Sequence, residues 1–385
     1  MKIDIIDKYI AKETMSPFIV TLLATSALML VGRMVRFFDL IIAKGVSIGQ
    51  VTLLFLYMSP FILALSIPIS VLVSVVLSFN RLSADSEVIA MKAIGIKVSK
   101  LARAPLWIGF IAYIATSFIS FYLLPVANVA LKDEFFNIII RKTTVGIDAK
   151  AFNNFTSKLV FYVDSLSKNR EVMNHVIIYD TRTSDKIPST IIARQGRFIV
   201  DKRDRTITLS LQDGVIQQLG APPETLRLVK FKDYDLSFSQ REVSPSMSYY
   251  NEPTFEMTIP ELMRQYRALK REHKPYRSLL TDIAERFAIP FTVIIFAVIG
   301  VPLGIKSPRS GKAYGIIIAV VLVLLYYIVL SGAETVGKLG IMSPVVAVAL
   351  VDLLFLAAAL GLLVLVAKES EIGVSRLIAY IKRLM

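Results

Sequence analysis

Residues 50–78 read QVTLLFLYMSPFILALSIPISVLVSVVLS and contain no charged side chain. This run is long enough to cross a bilayer, because a hydrocarbon core of ~30 Å needs roughly 20 apolar residues in a helix. On either side of it, five further stretches have the same length and character. The six predicted spans cover approximately residues 15–41, 50–78, 104–126, 282–304, 313–334 and 344–367.

The composition indicates an integral membrane protein. The chain has 385 residues, of which 55% are hydrophobic, and its mean hydropathy is +0.61. The absence of Cys excludes disulfides, thiolate catalysis and Cys-ligated metals. Its two histidines, His175 and His273, form no paired metal-binding motif, so we expect neither a metal nor another cofactor. In a soluble protein the net charge of +14 would suggest nucleic acid, but here it indicates basic inside loops and no nucleic-acid partner.

The basic residues of the short loops predict the orientation of the chain. If the N-terminus is cytoplasmic, fifteen Lys and Arg residues fall in the inside segments, against only Lys44 and Lys338 in the short outside loops. Cytoplasmic loops carry the excess of Lys and Arg. We therefore predict a multi-pass protein with both termini inside and its large central region outside, which is the periplasm in a Gram-negative cell.

The central region predicts a β domain. Five segments alternate in polarity or are rich in β-branched residues, and turn signals separate them. They cover residues 157–166, 174–180, 189–201, 205–219 and 224–238. This spacing leaves a sandwich, a jelly roll or an open barrel possible. A polar helix over about 257–280 then returns the chain to the membrane.

The predicted fold class is a membrane α-helical protein with six transmembrane helices, arranged 3+3 around an inserted periplasmic all-β domain. Residues 1–126 form an interfacial N-terminal helix and the first three spans. Residues 127–281 form the outside domain. Residues 282–385 form the last three spans and a cytoplasmic tail.

Between spans two and three the chain reads RLSADSEVIAMKAIGIKVSKLAR, residues 81–103, which we call the inter-span segment. It predicts a short capped helix over about 83–95. Ser83 is the candidate N-cap, and acids in the first turn favour the helix dipole. Lys92 lies in the last turn, and Gly95 suits the position after the helix end. The acids are Asp85 and Glu87, and the apolar stripe is Val88, Met91 and Ile94. Such a helix either docks into a groove on a soluble partner or lies on the membrane surface.

The stretch SADSEVIAMKAIGI resembles the cytoplasmic segment of the LptF/LptG family of lipopolysaccharide-export permeases. The shared pattern is Ser86–Glu87, then Met91, then Gly95. The order of three spans, β domain and three spans also resembles that family over nearly the whole chain. GRMVRFFDLI and PFILALSIPISVLV are closer to the LptF side. The resemblance implies a jelly-roll outside domain and a coupling helix that docks on the ATPase LptB, with Glu87 in the contact.

The resemblance also implies the partners. They are an LptG-like permease, two LptB subunits, an LptC-like bitopic protein and lipopolysaccharide. This chain would then be a transporter subunit with no catalytic residue of its own. Residues 304–315, GIKSPRSGKAYG, look like a phosphate-binding loop but have Lys306 where the first Gly belongs and Ala313 where the hydroxyl belongs. ATP hydrolysis is therefore expected from a separate subunit.

A basic group near the outer end of span one is the candidate lipid contact. Arg33 and Arg36 are three positions apart, so a helix places them on one face. They bind anionic headgroup phosphates, or else pair with Asp39 or Glu334, or extend to the interface. The resemblance favours lipopolysaccharide. Lys44 is a further candidate contact, and Tyr326 and Tyr327 of span five are candidate liners for acyl chains.

Two acidic residues keep other function classes open. Asp352 lies inside span six and Glu334 near the outer end of span five. A secondary transporter uses such carboxylates for ion coupling. The alternative, which we favour, is that these acids are structural partners for a neighbouring helix or for Arg33 or Arg36. A membrane-anchored sensor or scaffold with a ligand-binding β domain is the remaining class.

Overall fold

The computed structural model describes residues 5–44, 47–145, 149–156, 159–167, 172–181, 188–201, 206–219, 226–239, 253–305 and 312–367. The chain divides into two compact units. The helical unit contains residues 1–35, 58–127 and 256–385, and the β unit contains residues 36–57 and 128–255. The basic loop at 306–311 and the tail from residue 368, which contribute to the predicted orientation, lie outside the described residues.

Long helices account for most of the described chain. They are α1 (Ile5–Lys44), α2 (Ile48–Ala84), α3 (Glu87–Ala93), α4 (Val98–Leu101), α5 (Arg103–Phe118), α6 (Leu124–Val145), α7 (Ile259–Arg271), α8 (Arg277–Gly304), α9 (Lys312–Leu339) and α10 (Pro344–Ala367). A π-helical turn, Ile119–Leu123, joins α5 to α6, and a 3-10 turn, Pro253–Glu256, precedes α7. The predicted polar helix before span four is present as α7.

The six predicted spans are confirmed. Six helical stretches are long and apolar enough to cross a membrane: Ile5–Gly32, Ile48–Ala84, Val98–Ile138, Arg277–Gly304, Gly315–Leu339 and Pro344–Ala367. The N-terminal helix is continuous with span one, because α1 runs without a break from Ile5 through Pro17 to Lys44. Ile10 and Thr14 in its first turns are fully buried, whereas Ile5 and Tyr9 are exposed. The interfacial position of these turns stays a prediction.

Span four, α8, is the central helix of the helical unit. Its side chains belong to two buried clusters, one shared with α2, α9 and α10 and the other with α1, α2, α3 and α5. Close approach to α2 depends on Gly300, where an added Cβ would lie 2.9 Å from Val75. Small residues at such crossings let membrane helices pack closely. Helices α1, α2 and α3, which include the start of the inter-span segment, therefore share one buried cluster with α8.

The β unit contains six antiparallel strands that pair in sequence order. They are β1 (Phe152–Thr156), β2 (Leu159–Leu166), β3 (Val172–Asp180), β4 (Ser189–Asp201), β5 (Thr206–Leu219) and β6 (Leu226–Ser239). All five predicted segments are strands, and β1 is an additional one. The β class is confirmed, and the described strands form one meander.

The sheet folds back on itself. Phe161 on β2 lies opposite Ile178 on β3, which lies opposite Ile191 on β4. From Ile191 to Phe198, an extended strand spans about 23 Å. Yet the ring centroids of Phe161 and Phe198 are only 6.2 Å apart. The two halves of the sheet therefore face each other and enclose apolar side chains.

The bend lies where the strand pairing is interrupted on four neighbouring strands, at Asp164, His175, Arg194 and Asp213. His175 and Asp213 have positive φ angles of 50°. At this bend the alternation of buried side chains shifts by one position: Ala193 is buried before it and Gly196 after it. Because the alternation of buried side chains shifts in both of the paired strands β3 and β4, the apolar face stays inside on both halves of the sheet. His175, expected as an ordinary strand residue, is thus an exposed residue of the bend.

Candidate functional sites

The inter-span segment begins with a turn and not with the predicted cap. Helix α2 continues to Ala84, so Ser83 is a buried residue of that helix, and its Oγ has no hydrogen-bond partner among the described residues. The bond from the Asp85 N–H to the Arg81 carbonyl, 2.9 Å, continues the α2 ladder. Ser86 takes the N-cap position with φ 59° and makes no side-chain cap. The prediction of Ser83 as N-cap, with Asp85 in the first turn, is therefore wrong.

The end of α3 matches the sequence prediction. Lys92 lies in the last turn, and Gly95 has φ 87°. The Gly95 N–H donates to the Lys92 carbonyl at 2.9 Å, and the Ile96 N–H to the Met91 carbonyl at 3.0 Å. This pair of bonds is a Schellman motif, which needs a left-handed residue and so favours Gly.

The predicted apolar stripe is divided between two environments. Val88 is 1% exposed and Met91 is partly buried, and both pack on the core of the helical unit. Ile94 is 77% exposed and Ile89 is 55% exposed. The stripe prediction is therefore wrong as a single docking face: Val88 and Met91 attach the helix, while Ile89 and Ile94 form the apolar surface that remains accessible.

Glu87 begins α3 and is held by a residue far away in sequence. The Tyr9 hydroxyl lies 2.8 Å from Glu87 Oε2 and 3.1 Å from Oε1, so it donates to the carboxylate. Within the described residues Glu87 forms no ion pair. The neighbouring Arg81 instead pairs with Glu13 and Asp85. Glu87 therefore keeps an unneutralised negative charge at the start of an accessible helix.

The basic candidates of span one lie on a continuous helix. Arg33, Arg36 and Lys44 all fall within α1, but their side chains, like that of Asp39, lie outside the described residues. A shared face for Arg33 and Arg36 follows from the helical backbone alone. Their contact with lipid stays a prediction.

Tyr326 does not line an open space, so its assignment as an acyl-chain liner is wrong for this structure. Its side chain is fully buried, and its ring packs edge-on against Phe296 and Phe355 at 5.4 and 5.1 Å. Its hydroxyl accepts from Thr292 at 2.6 Å and donates to Asp352 at 2.7 Å. Spans four, five and six meet at this tyrosine.

Tyr327 is partly buried and packs on the same core, with its ring 5.4 Å from that of Tyr326. Consecutive helical residues point about 100° apart, so the two tyrosines cannot share one face. The exposed face of span five is instead aliphatic: Ile317, Val321, Leu324 and Ile328. Sequence reasoning missed this face because nearly every residue of the span is apolar.

Asp352 contacts a neighbouring helix, as the structural role that we favoured from the sequence requires. It is 7% exposed and accepts the hydrogen bond from Tyr326 of the neighbouring helix. Thr292, the third member of this buried group, gave no signal in the sequence, since a lone Thr in a span is common. Tyr9 gave none either, because its partner Glu87 is distant in the chain.

Comparison with known proteins agrees with this architecture. A family model described as "Lipopolysaccharide export system permease LptF/LptG" matches residues 8–365. The chain is 21% identical to the lipopolysaccharide export system permease protein LptF of Escherichia coli strain K12 over 363 residues, which are 93% of this chain and 94% of that protein. The LptF protein of Shigella flexneri gives the same values.

A second relative matches a smaller part of the chain. The uncharacterized protein RP871 of Rickettsia prowazekii is 24% identical over 190 residues, which are 49% of this chain and 52% of that protein. The match therefore spans about half the length of that relative. The family model, in contrast, includes all six spans and the β unit, so the chain belongs to the LptF/LptG family of lipopolysaccharide export permeases.

Proposed function

We propose that this chain is the transmembrane subunit of an ABC exporter that extracts lipopolysaccharide from the inner membrane and passes it to a periplasmic bridge. Its partners are an LptG-like permease, two copies of the ATPase LptB and an LptC-like bitopic protein. ATP hydrolysis takes place on LptB. Both termini and the inter-span segment are cytoplasmic, and the β unit is periplasmic.

The observation that carries the proposal is the unneutralised charge of Glu87 on α3. Glu87 forms no ion pair among the described residues, and the Tyr9 phenol that donates to it carries no charge. Here Glu87 is available to a basic group of a soluble partner, and Ile89 and Ile94 supply an apolar surface beside it. A short helix that offers one charge and a few apolar side chains suits docking into a groove.

The proposed lipid path begins at span one and span five. Arg33 and Arg36 bind headgroup phosphates, for which the guanidinium fork is suited. The acyl chains contact the exposed aliphatic face of span five, Ile317, Val321, Leu324 and Ile328. We therefore assign the acyl-chain contact to this face and not to Tyr326. An LptG-like permease closes the opposite side of the cavity.

The folded sheet of the β unit supports the exit step. Its two halves face each other across apolar side chains such as Phe161 and Phe198. An interior of this kind is chemically suited to acyl chains. We propose that the lipid enters it after ATP binding closes the cavity, and that it then passes to the LptC-like partner.

Co-purification tests the proposal. The chain is expressed with its candidate permease partner and LptB, as wild type, as Glu87→Arg and as Glu272→Arg. The control reverses the charge of another glutamate, which is exposed, pairs with Lys274 and lies after α7, outside the inter-span segment. We expect wild type and Glu272→Arg to recover the ATPase, and Glu87→Arg to lose it while the permease pair still assembles. Failure of wild type to recover the ATPase would contradict the ABC assignment.

A further inference from the structure

We infer that Tyr9 is a positioning residue: it orients Glu87 and ties α3 to the first helix of the chain. The inference rests on the proposed role of Glu87 in ATPase binding. By this inference, the N-terminal turns of α1 take part in coupling the ATPase to the permease, a role that their sequence does not suggest.

The hydrogen bond restricts the Glu87 side chain. Its carboxylate sits at the end of several rotatable bonds, and an unrestrained exposed Glu samples many rotamers. The Tyr9 hydroxyl contacts both carboxylate oxygens, at 2.8 and 3.1 Å, and it reaches them from another helix. Binding a partner then costs less conformational entropy, because the carboxylate is already oriented.

The same bond leaves Glu87 competent to bind. A carboxylate has about four lone-pair positions, and a phenol supplies one proton and no charge. An arginine in the place of Tyr9 would neutralise the group. Asp85 illustrates the contrast, since its carboxylate lies 3.7 Å from the Arg81 guanidinium. A tyrosine therefore orients Glu87 without removing its charge.

A second set of contacts fastens the same part of α1. Glu13, one turn after Tyr9, pairs with Arg81 at the end of α2. The carbonyl of Glu13 also accepts from Ser78 Oγ at 3.0 Å. Between these residues, Ile10 is fully buried in the cluster that contains Val88 and Leu101. The N-terminal turns of α1 are thus packed on both α2 and α3.

Because α1 is continuous, its attachment to α3 affects residues far along the same helix. A helix rises 1.5 Å per residue, so Arg33 lies about 36 Å from Tyr9 along the same helix. No break separates them, since α1 runs from Ile5 to Lys44. A displacement of α3 by the ATPase therefore reaches, through Tyr9, the helix that carries the proposed headgroup contacts.

A double-mutant cycle tests the inference on the assembled complex of this chain, its permease partner and LptB. The variants are Tyr9→Phe, Glu87→Ala and the pair, and the measurement is the affinity of LptB for the permease pair. We expect Tyr9→Phe to weaken binding about fivefold, the net effect of one typical hydrogen bond, and to have no further effect in the Glu87→Ala background. A purely structural role for Tyr9 predicts the same loss in both backgrounds.

Tyr122→Phe is the matched control, because Tyr122 is exposed and its hydroxyl makes no hydrogen bond among the described residues. We expect it to bind LptB as wild type does. If Tyr9→Phe also binds as wild type while Glu87→Arg loses the ATPase, the inference is overturned and the proposed function stands. If wild type itself fails to bind LptB, both are overturned.

Discussion

Two carboxylates of the helical unit each accept a hydrogen bond from a tyrosine, but their surroundings differ. Glu87 receives its bond from Tyr9, which is 42% exposed, whereas Asp352 receives its bond from Tyr326, which is fully buried. The bond lengths are nearly equal, 2.8 and 2.7 Å. Geometry alone therefore does not separate a binding group from a structural one. What separates them is whether another molecule can reach the carboxylate.

The environment also decides what each pair contributes to stability. Around Tyr326, the rings of Phe296 and Phe355 exclude water, and Thr292 supplies the remaining polar contact. A buried acceptor that loses its donor pays the full cost of its desolvation. Glu87 is partly exposed, so water can replace its donor and the loss there is small.

Removing the hydroxyl oxygen from each of the two tyrosines gives the largest expected difference in the free energy of unfolding. We expect Tyr326→Phe to lower the free energy of unfolding by about 1–3 kcal/mol, because Asp352 stays buried without its donor. We expect Tyr9→Phe to lower it by no more than about 0.5 kcal/mol, because the Glu87 carboxylate is partly exposed to water. Unfolding in mixed micelles titrated with a denaturing detergent measures both. Equal losses would contradict the distinction drawn between the two pairs.

The sequence predicted the elements better than the contacts between them. Six spans and five strands were predictable because uncharged length and two-residue alternation are local properties. Strand β1 was missed because Asn153 and Asn154 interrupt its pattern. Ser83 was misread as a cap because a helix continues past a serine when its neighbours pack, as Leu82 does.

The site was harder to predict for a physical reason. In span five nearly every side chain is apolar, so no amphipathic pattern showed that Tyr326 faces the core and Ile328 faces outward. The contact of Tyr9 with Glu87 joins residues that are 78 positions apart, and no local pattern encodes it. Gly95 was predictable because a left-handed helix end is a local requirement.

Asp352→Asn sharpens the comparison at the buried pair. Asparagine has the same shape and keeps an oxygen that accepts from Tyr326, so we expect a stability loss of less than about 1 kcal/mol. We also expect lipopolysaccharide release from proteoliposomes of the full complex to remain ATP-dependent and close to the wild-type rate. Loss of transport in a stably folded Asp352→Asn complex would instead favour ion coupling through this carboxylate.

Asp352→Leu is the companion variant, since it removes the acceptor and leaves the Tyr326 hydroxyl without its carboxylate partner. We expect it to be less stable than Asp352→Asn. Comparing the stabilities of the two variants therefore separates the loss of a hydrogen bond from the loss of an ionisable group.

A third carboxylate, Glu261 at the start of α7, extends the comparison to a fully exposed group and gives the smallest effect. Glu261 Oε2 accepts from the Thr258 backbone N–H at 2.7 Å and from Thr258 Oγ1 at 2.8 Å. The Thr258 backbone bond, aided by its hydroxyl, lowers the pKa of Glu261 below the ordinary 4.5. The ionised form therefore stabilises the helix start above the unfolded-state pKa, and this contribution is lost as the pH falls through the lowered folded-state value. We expect the protection of the first-turn amides of α7, measured by hydrogen exchange relative to the intrinsic rate at each pH, to fall over that acidic range in wild type. In Glu261→Ala we expect this protection to be lower throughout and not to change over that range. Glu261 is exposed and is bonded mainly to its own helix. We therefore expect Glu261→Ala to leave the melting of the rest of the chain unchanged.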